Sequence, residues 1–449
     1  MPPAVPAVLP ALRPALPLAA ALLTWPALWN GYPLVFSDTG TYLSQALNHY
    51  LGWDRPPFYS LFMLPLHMGL TTWPVIAAQG LLTAWVLGVA LRALLPARSA
   101  WWLAALAAAL AFASPLPWFA AQLMPDLFTG LLVLALALLV LAPERLGHLE
   151  AAGLVALAVF AMCAHLSNLP LGLALIAGLL PLRRQLGARA ALGGAGVARV
   201  VGAPVAAALA LAGVNLAGHG SATLAPYGNV FLLARLVEDG PGRDALIQAC
   251  PNVGWRLCAA RDRLPANADA FLWRPESPLN AAGGPKRVSA EADAIIAAAF
   301  RAEPGSELAA MLRNAGRQLL WFGSGDGLQP WPETVTPWIN RDFPRFEQAA
   351  YAASRQANGQ GLLPGWMGSL HEGAALGATA FLVGCLPGWL RRRDIMAGLA
   401  VAILAGLLAN AAITGALSGP HDRYQSRVMW LPGLAALLGA GRRWTGAAA

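Results

Sequence analysis

Ten stretches of apolar, nearly chargeless sequence dominate this chain, near residues 12–30, 74–95, 100–117, 126–142, 150–164, 168–182, 198–217, 372–390, 395–416 and 427–441. Each approaches the roughly 17–25 residues that carry a helix across a bilayer core about 30 Å thick. Only 12% of the residues are charged and 57% are hydrophobic, whereas a soluble domain carries about 25% charged residues. The expected fold class is therefore an all-α polytopic membrane protein with about ten transmembrane helices. One long segment interrupts the series and is expected as a mainly helical extracytoplasmic insert.

Three parts follow. Residues 1–217 are expected to form an N-terminal transmembrane module with spans one to seven and a first outer loop, 31–73, carrying juxtamembrane helices. The stretch 57–72, PFYSLFMLPLHMGLTT, is apolar but is broken by Pro65 and His67, so it reads as an interfacial or re-entrant helix rather than a full span. Residues 218–370 are expected to form the extracytoplasmic domain, with helical periodicity in 226–238, 290–302, 306–322 and 343–357. Its Trp273, Trp321, Trp331, Trp338 and Trp366 suit either the headgroup level of a membrane or the domain's own core. Residues 371–449 are expected as a C-terminal transmembrane module with spans eight to ten. The start, MPPAVPAVLPALRPALP, runs on into apolar sequence and reads as a retained first span rather than a cleaved signal peptide.

Arginine placement orients the spans. With the N-terminus inside, the inner loops hold Arg13, Arg92, Arg98, Arg145, Arg183, Arg184, Arg189, Arg199, Arg391, Arg392, Arg393, Arg442 and Arg443, against Glu144, Glu150 and Asp394. That side carries a net +10 of the chain's +8, and the outer side the remaining −2. Cytoplasmic arginine is what sets orientation in multispanning proteins. No arginine cluster interleaved with aromatics accompanies the basic pI of 9.8, so the expected contacts are membrane lipids and no nucleic acid. On this topology the polar motifs SDTGTY, DRPP, MPDLFTG, HLSN and SGPHDRYQSR all fall outside.

Those motifs carry the candidate residues. A carboxylate at an apolar boundary is costly unless paired or used. Asp38 in SDTGTYL reads as a general base, a metal ligand or a helix N-cap. Asp54 and Arg55 precede two prolines and read as a charge pair closing a loop or as substrate contacts. Asp126, opening the fourth span, either complements the helix dipole or binds a substrate hydroxyl. His165 in CAHLSNLP reads as a structural histidine or a substrate contact. The last outer loop packs His421, Arg423, Tyr424 and Arg427 together. Arg423 and Arg427 are four residues apart and share a face if that loop is helical. Their guanidiniums suit an anionic phosphate, or equally a lipid headgroup. Cys250 and Cys258 both lie in the outer segment, where an oxidising compartment favours a disulfide. No histidine pair at zinc spacing and no Walker, GxGxxG or HExxH pattern occurs.

The stretches SDTGTYL, RPPFYSLF and MPDLFTGLLVLALALL resemble the GT-C glycosyltransferases, polytopic enzymes that use lipid-phosphate-linked sugars. The likeness is to the branch with the protein mannosyltransferases and the aminoarabinose transferases, and it covers mainly residues 12–180. It implies Asp38 as the catalytic or metal-binding aspartate, with magnesium or manganese as the candidate ion. It implies Arg55 and the HDRY region as phosphate contacts, a polyprenyl-phosphate-sugar donor, and a lipid, glycan or protein acceptor. Several families of that branch have an acidic pair where this chain has Asp38 followed by Thr39. Polyprenyl phosphate is a good leaving group, so one base and a set of cations suffice for an inverting transfer. The expected location is the bacterial inner membrane, with the 218–370 domain in the periplasm. A transporter or flippase, or a polymerase or ligase of lipid-linked saccharides, are the competing readings.

Overall fold

The computed structural model describes residues 15–95, 101–188, 192–250 and 252–444. The proline-rich start with Arg13, the inner-loop Arg98 and Arg189, and the side chain of Arg443 lie outside the described residues. Among the described residues the regular structure is helical, apart from one isolated parallel bridge between Leu34 and Gln122. Four helices are long and apolar enough to cross a membrane: Trp73–Leu94, Gly194–His219, Gly365–Arg391 and Ile395–Leu417. Shorter apolar helices at Trp101–Ala113, Leu127–Leu141, His148–Ala164 and Asn168–Leu182 coincide with four more of the expected spans. This is the architecture of a helical membrane protein.

The first expected span is divided. Ala15–Leu23 and Trp25–Asn30 meet at Thr24. Pro26 has no N–H to bond back across that junction, and the Thr24 hydroxyl donates instead to Ala20 O at 2.9 Å. The stretch read as an interfacial helix is the short helix Phe58–His67, with Pro65 inside it and Met68 ending it in the left-handed region at φ 47°.

The chain divides into two compact units. The first comprises Met1–Leu211, Phe322–Ala409 and Asp422–Ala449; the second comprises Ala212–Trp321 and Asn410–His421. Of the stretch 218–370, residues 218–321 belong to the second unit and 322–370 to the first. Polar side chains make that attachment. Glu347 is buried, and its Oε1 accepts from the Tyr32 hydroxyl, the Thr72 hydroxyl and the Thr72 N–H, each at 2.8 Å. Gln356 brackets Val35, accepting from its N–H at 2.9 Å and donating to its carbonyl at 2.8 Å. A buried carboxylate is tolerated only with its bonds made. In sequence these residues look like the wet side of amphipathic helices.

At the other end of the first unit, arginines close helix C-termini. Arg145 donates to Ala93 O at 2.7 Å, Arg442 to Leu94 O at 2.9 Å and Arg183 to Val140 O at 3.0 Å. Those carbonyls lie in the last turns of Trp73–Leu94 and Leu127–Leu141, where orphan acceptors and the negative end of the dipole favour cations. Arg92 pairs with Glu150 and Arg442 with Asp394. The basic loops thus have structural work beside any role in orientation.

The second unit is helical. Its helices Gly228–Asp239, Pro285–Ala302 and Pro304–Leu320 are amphipathic and bury Val230, Leu233, Val288 and Ile295. Arg235 is fully buried between Asp239 at 2.7 Å and Glu307 at 3.3 Å, and Asn314 donates to Asp239 at 3.0 Å. Cys250 and Cys258 are joined in the expected disulfide. Trp273, Trp321 and Trp366 are exposed rather than core residues. Trp331 lies in the first unit, against Phe36 with ring centroids 5.1 Å apart.

Candidate functional site

The Thr39 hydroxyl, next to Asp38, holds the first loop in place. Thr39 is buried; its hydroxyl accepts from Phe36 N–H at 2.9 Å and donates to Leu123 O at 3.1 Å. Just before it, Leu34 bridges to the second loop, accepting from Leu123 N–H at 2.8 Å and donating to Ala121 O at 2.9 Å. The loops that carry Asp38 and Asp126 are thereby joined. Gly40 lies against Thr334 O and the Trp338 ring, with no room for a Cβ. Helix Thr39–Leu47 can sit there only with glycine at that position.

Asp38 stands at the N-terminus of Thr39–Leu47 but makes no capping hydrogen bond. Its Oδ2 instead receives Arg55, from Nη2 at 2.7 Å and Nε at 2.9 Å. Oδ1 is not part of that pair. Arg55 also donates from Nη1 to the Asp54 carbonyl at 3.0 Å, so the loop 52–57 wraps the guanidinium and aims it at Asp38. Burial pulls the Arg55 pKa down, yet Asp38 and then Asp54 outweigh it and the pKa is raised. Burial raises the Asp54 carboxyl above its ordinary value; Arg55 opposes the shift and Asp38 adds to it.

Asp126 repeats the pattern. It opens helix Leu127–Leu141 without capping it, and its carboxylate turns to the last loop. Oδ1 accepts from Arg427 Nη1 at 3.1 Å, and Oδ2 lies 4.0 Å from Arg423 Nη1. Arg423 and Arg427 do share a face: Asp422–Ser426 is a short helix, and Arg427 N–H donates to Arg423 O at 3.2 Å. Tyr424 lies beside both guanidiniums, at 5.3 and 5.5 Å, and the Arg423 guanidinium covers the Phe36 ring at 3.8 Å. Burial lowers the Arg423 pKa, but Asp126 and Tyr424 raise it further, so the group stays a cation. Gly130 permits this register, because the Trp430 ring crosses it at 2.6–2.9 Å from where a Cβ would stand. The Trp430 N–H in turn donates to Arg427 O at 3.0 Å.

His165 completes the cluster. Arg427 Nη1 donates to His165 Nε2 at 3.2 Å, and Arg427 Nη2 to Ser167 Oγ at 2.9 Å. A guanidinium can only donate, so Nε2 must be the unprotonated nitrogen. Nδ1 lies 2.9 Å from Ser167 Oγ and 3.3 Å from the Ser167 N. Burial first, and Arg427 second, push the His165 pKa well below its ordinary value.

Because the folded pKa lies below the unfolded value of about 6.5, the unfolded chain binds a proton that the folded chain refuses. Stability is thus held above about pH 6.5 and lost as pH falls, at up to about 1.4 kcal/mol per pH unit. The thermal midpoint of the wild type is expected to fall between pH 7.5 and 5.5 more steeply than that of His165→Gln, whose amide oxygen still accepts from Arg427. Parallel curves would show that His165 is not held neutral.

The structure thus gathers Asp38, Asp54, Arg55, Asp126, His165, Arg423, Tyr424 and Arg427 within one unit. His421 is not among them. It belongs to the second unit, where its N–H donates to Gln318 Oε1 at 2.9 Å and its carbonyl accepts from Gln318 Nε2 at 2.8 Å. Ser167, in HLSN, was not singled out in sequence; a hydroxyl two residues beyond a boundary histidine is the signal that marks it. Phe36 gave no signal beyond an apolar residue. Among the described residues no three His, Cys, Asp or Glu side chains group as a metal site. Asp38 and Asp126 each already hold a guanidinium, a donor set that does not fit a divalent cation as it stands. Comparison with protein families, with curated proteins and with solved structures finds no match to this chain.

Proposed function

We propose that this chain is a membrane glycosyltransferase with all ten apolar stretches crossing the membrane. On this reading it moves a sugar from a polyprenyl phosphate to a hydroxyl of a lipid, glycan or protein acceptor, at the outer face of a bacterial inner membrane. The observation that supports it is the convergence of the Asp38–Arg55 pair and the Asp126–Arg423–Arg427 group from loops far apart in sequence. Two buried guanidiniums face the carboxylate of Asp126, and Arg423 Nη1, 4.0 Å from it, has no hydrogen-bond partner. A buried donor left unpaired costs about 1–3 kcal/mol, and an entering phosphate oxygen removes that cost.

The chemistry divides between the two groups. Asp38 Oδ1 accepts the proton of the acceptor hydroxyl, while Arg55 on Oδ2 fixes the carboxylate's orientation. The acceptor oxygen attacks the anomeric carbon, and the bond from that carbon to the phosphate oxygen breaks. The phosphate departs with the bonding pair, and its developing charge meets Arg423, already placed and desolvated. A single displacement inverts the anomeric centre.

The test is transfer by the purified full chain in detergent or vesicles. Supplied with a polyprenyl-phosphate-linked hexose or pentose and an envelope-lipid extract, it is expected to release polyprenyl phosphate and glycosylate the acceptor. Movement of the intact lipid-linked saccharide across vesicles with no sugar released would overturn this reading in favour of transport.

A further inference from the structure

A narrow cleft lies beside Arg423, lined by Trp118, Phe119, Gln122, Asp326, Leu328 and Ser426 among others. It is a built site. Gly323 N–H donates to Asp422 Oδ1 at 2.7 Å and Arg423 N–H to Asp326 Oδ2 at 3.1 Å, which pins the loop 323–328 against the helix Asp422–Ser426. Gly325, at φ 98°, takes a turn that a side chain rarely allows.

Three buried donors at this cleft have no hydrogen-bond partner: Trp118 Nε1, Ser426 Oγ and Arg423 Nη1. All three residues are more than nine-tenths buried, at 4%, 1% and 7% exposure. Each such orphan costs free energy in the empty site, so three in one cleft mark a place that a ligand fills. The lining also selects among ligands. Trp118 and Phe119 supply aromatic surface, and Asp326 supplies a carboxylate of which Oδ1 is outside the bond to Arg423. A phosphate has no proton to give Asp326 at neutral pH and meets it as a like charge. A sugar ring has hydroxyls that accept from the indole, the serine and the guanidinium, and that donate to Asp326.

We infer that the cleft between Trp118 and Asp326 is a pyranose or furanose subsite, and that Trp118, Ser426 and Asp326 bind the hydroxyls of the transferred sugar. This rests on the proposed function, with Arg423 standing between the sugar and its phosphate.

The experiment measures Kd of the full chain in detergent for a short-chain polyprenyl phosphate, bare and carrying a hexose or pentose. Trp118→Phe keeps the ring and removes the N–H. Asp326→Asn keeps an acceptor for Arg423 N–H and removes the charge. Each is expected to weaken the sugar-bearing lipid by roughly tenfold, the effect of about 1.4 kcal/mol, and to leave the bare lipid within about twofold. Equal weakening of both lipids, no change in either, or tighter binding of both by Asp326→Asn would overturn the assignment; the last would put an oxyanion in the cleft. Wild type that binds neither lipid would instead sink the proposed function and this subsite with it.

Discussion

Replacing Arg427 with methionine is expected to abolish sugar transfer and to cost about 3–5 kcal/mol of stability, the range for removing one partner of a buried ion pair. The side chain is fully buried and serves three acceptors at once: Asp126 at 3.1 Å, His165 at 3.2 Å and Ser167 at 2.9 Å. Methionine fills much of the volume but leaves the Asp126 carboxylate facing Arg423 alone, at 4.0 Å. Loss of activity by itself cannot distinguish a misfolded chain from a disarmed one. A second substitution separates them. With Asp126→Asn added, the stranded carboxylate is gone and the local charge balance returns to that of the wild type. The double variant is therefore expected to regain part of the lost thermal midpoint and none of the transfer. A double variant no more stable than Arg427→Met would show that the pair does not carry the stability assigned to it.

Asp38→Asn is expected to lower transfer by about 10²–10⁴-fold, the contribution of a positioned base. The fold should survive. Asp38 and Arg55 keep 14% and 19% side-chain exposure, so the loss is expected near 1 kcal/mol, the upper end for pairs that water still reaches. Asparagine also keeps an oxygen for Arg55, so the guanidinium remains in place while the proton acceptor is lost. The decisive comparison is with Asp54→Asn, one residue before Arg55. Burial raises the proton affinity of Asp54, which makes it the competing acceptor. If Asp38→Asn turned over normally and Asp54→Asn did not, the base would be Asp54 and the assigned roles would exchange.

Much of the architecture was legible because membrane helices leave a signal of length and charge that local sequence carries whole. Leu127–Leu141 is readable as a helix from its own residues, with no knowledge of its neighbours. The candidate site was readable in part, for a related reason. Charged residues at apolar boundaries are few, so Asp38, Arg55, Asp126 and Arg427 stand out one at a time. What sequence cannot carry is their meeting: Asp126 and Arg427 are 301 residues apart, and no spacing rule reaches across that distance. The same limit hid the domain boundary. Glu347 and Gln356 sit on segments whose periodicity matches any amphipathic helix, and only their buried partners Tyr32, Thr72 and Val35 assign them to the first unit.

Roles were harder to read than positions. Both aspartates stand at helix N-termini, where capping is the default, and both turn their carboxylates to an arginine from elsewhere in the chain. Thr39 shows the reverse. Its hydroxyl, one residue from the candidate base, ties the first loop to Leu123. Asp326 and Trp118 carried no mark at all. One lies in a glycine-rich loop and the other in a run of apolar residues, and their shared cleft exists only in three dimensions.

The account stands on a phosphate site at Arg423, and an experimental structure of the full chain with a short-chain polyprenyl phosphate tests it most directly. Density for the phosphate within hydrogen-bond distance of the Arg423 guanidinium, on the side of Asp38, is the expected result. Phosphate bound instead at the basic turn Arg391–Arg393, with the Arg423 guanidinium untouched, would contradict it.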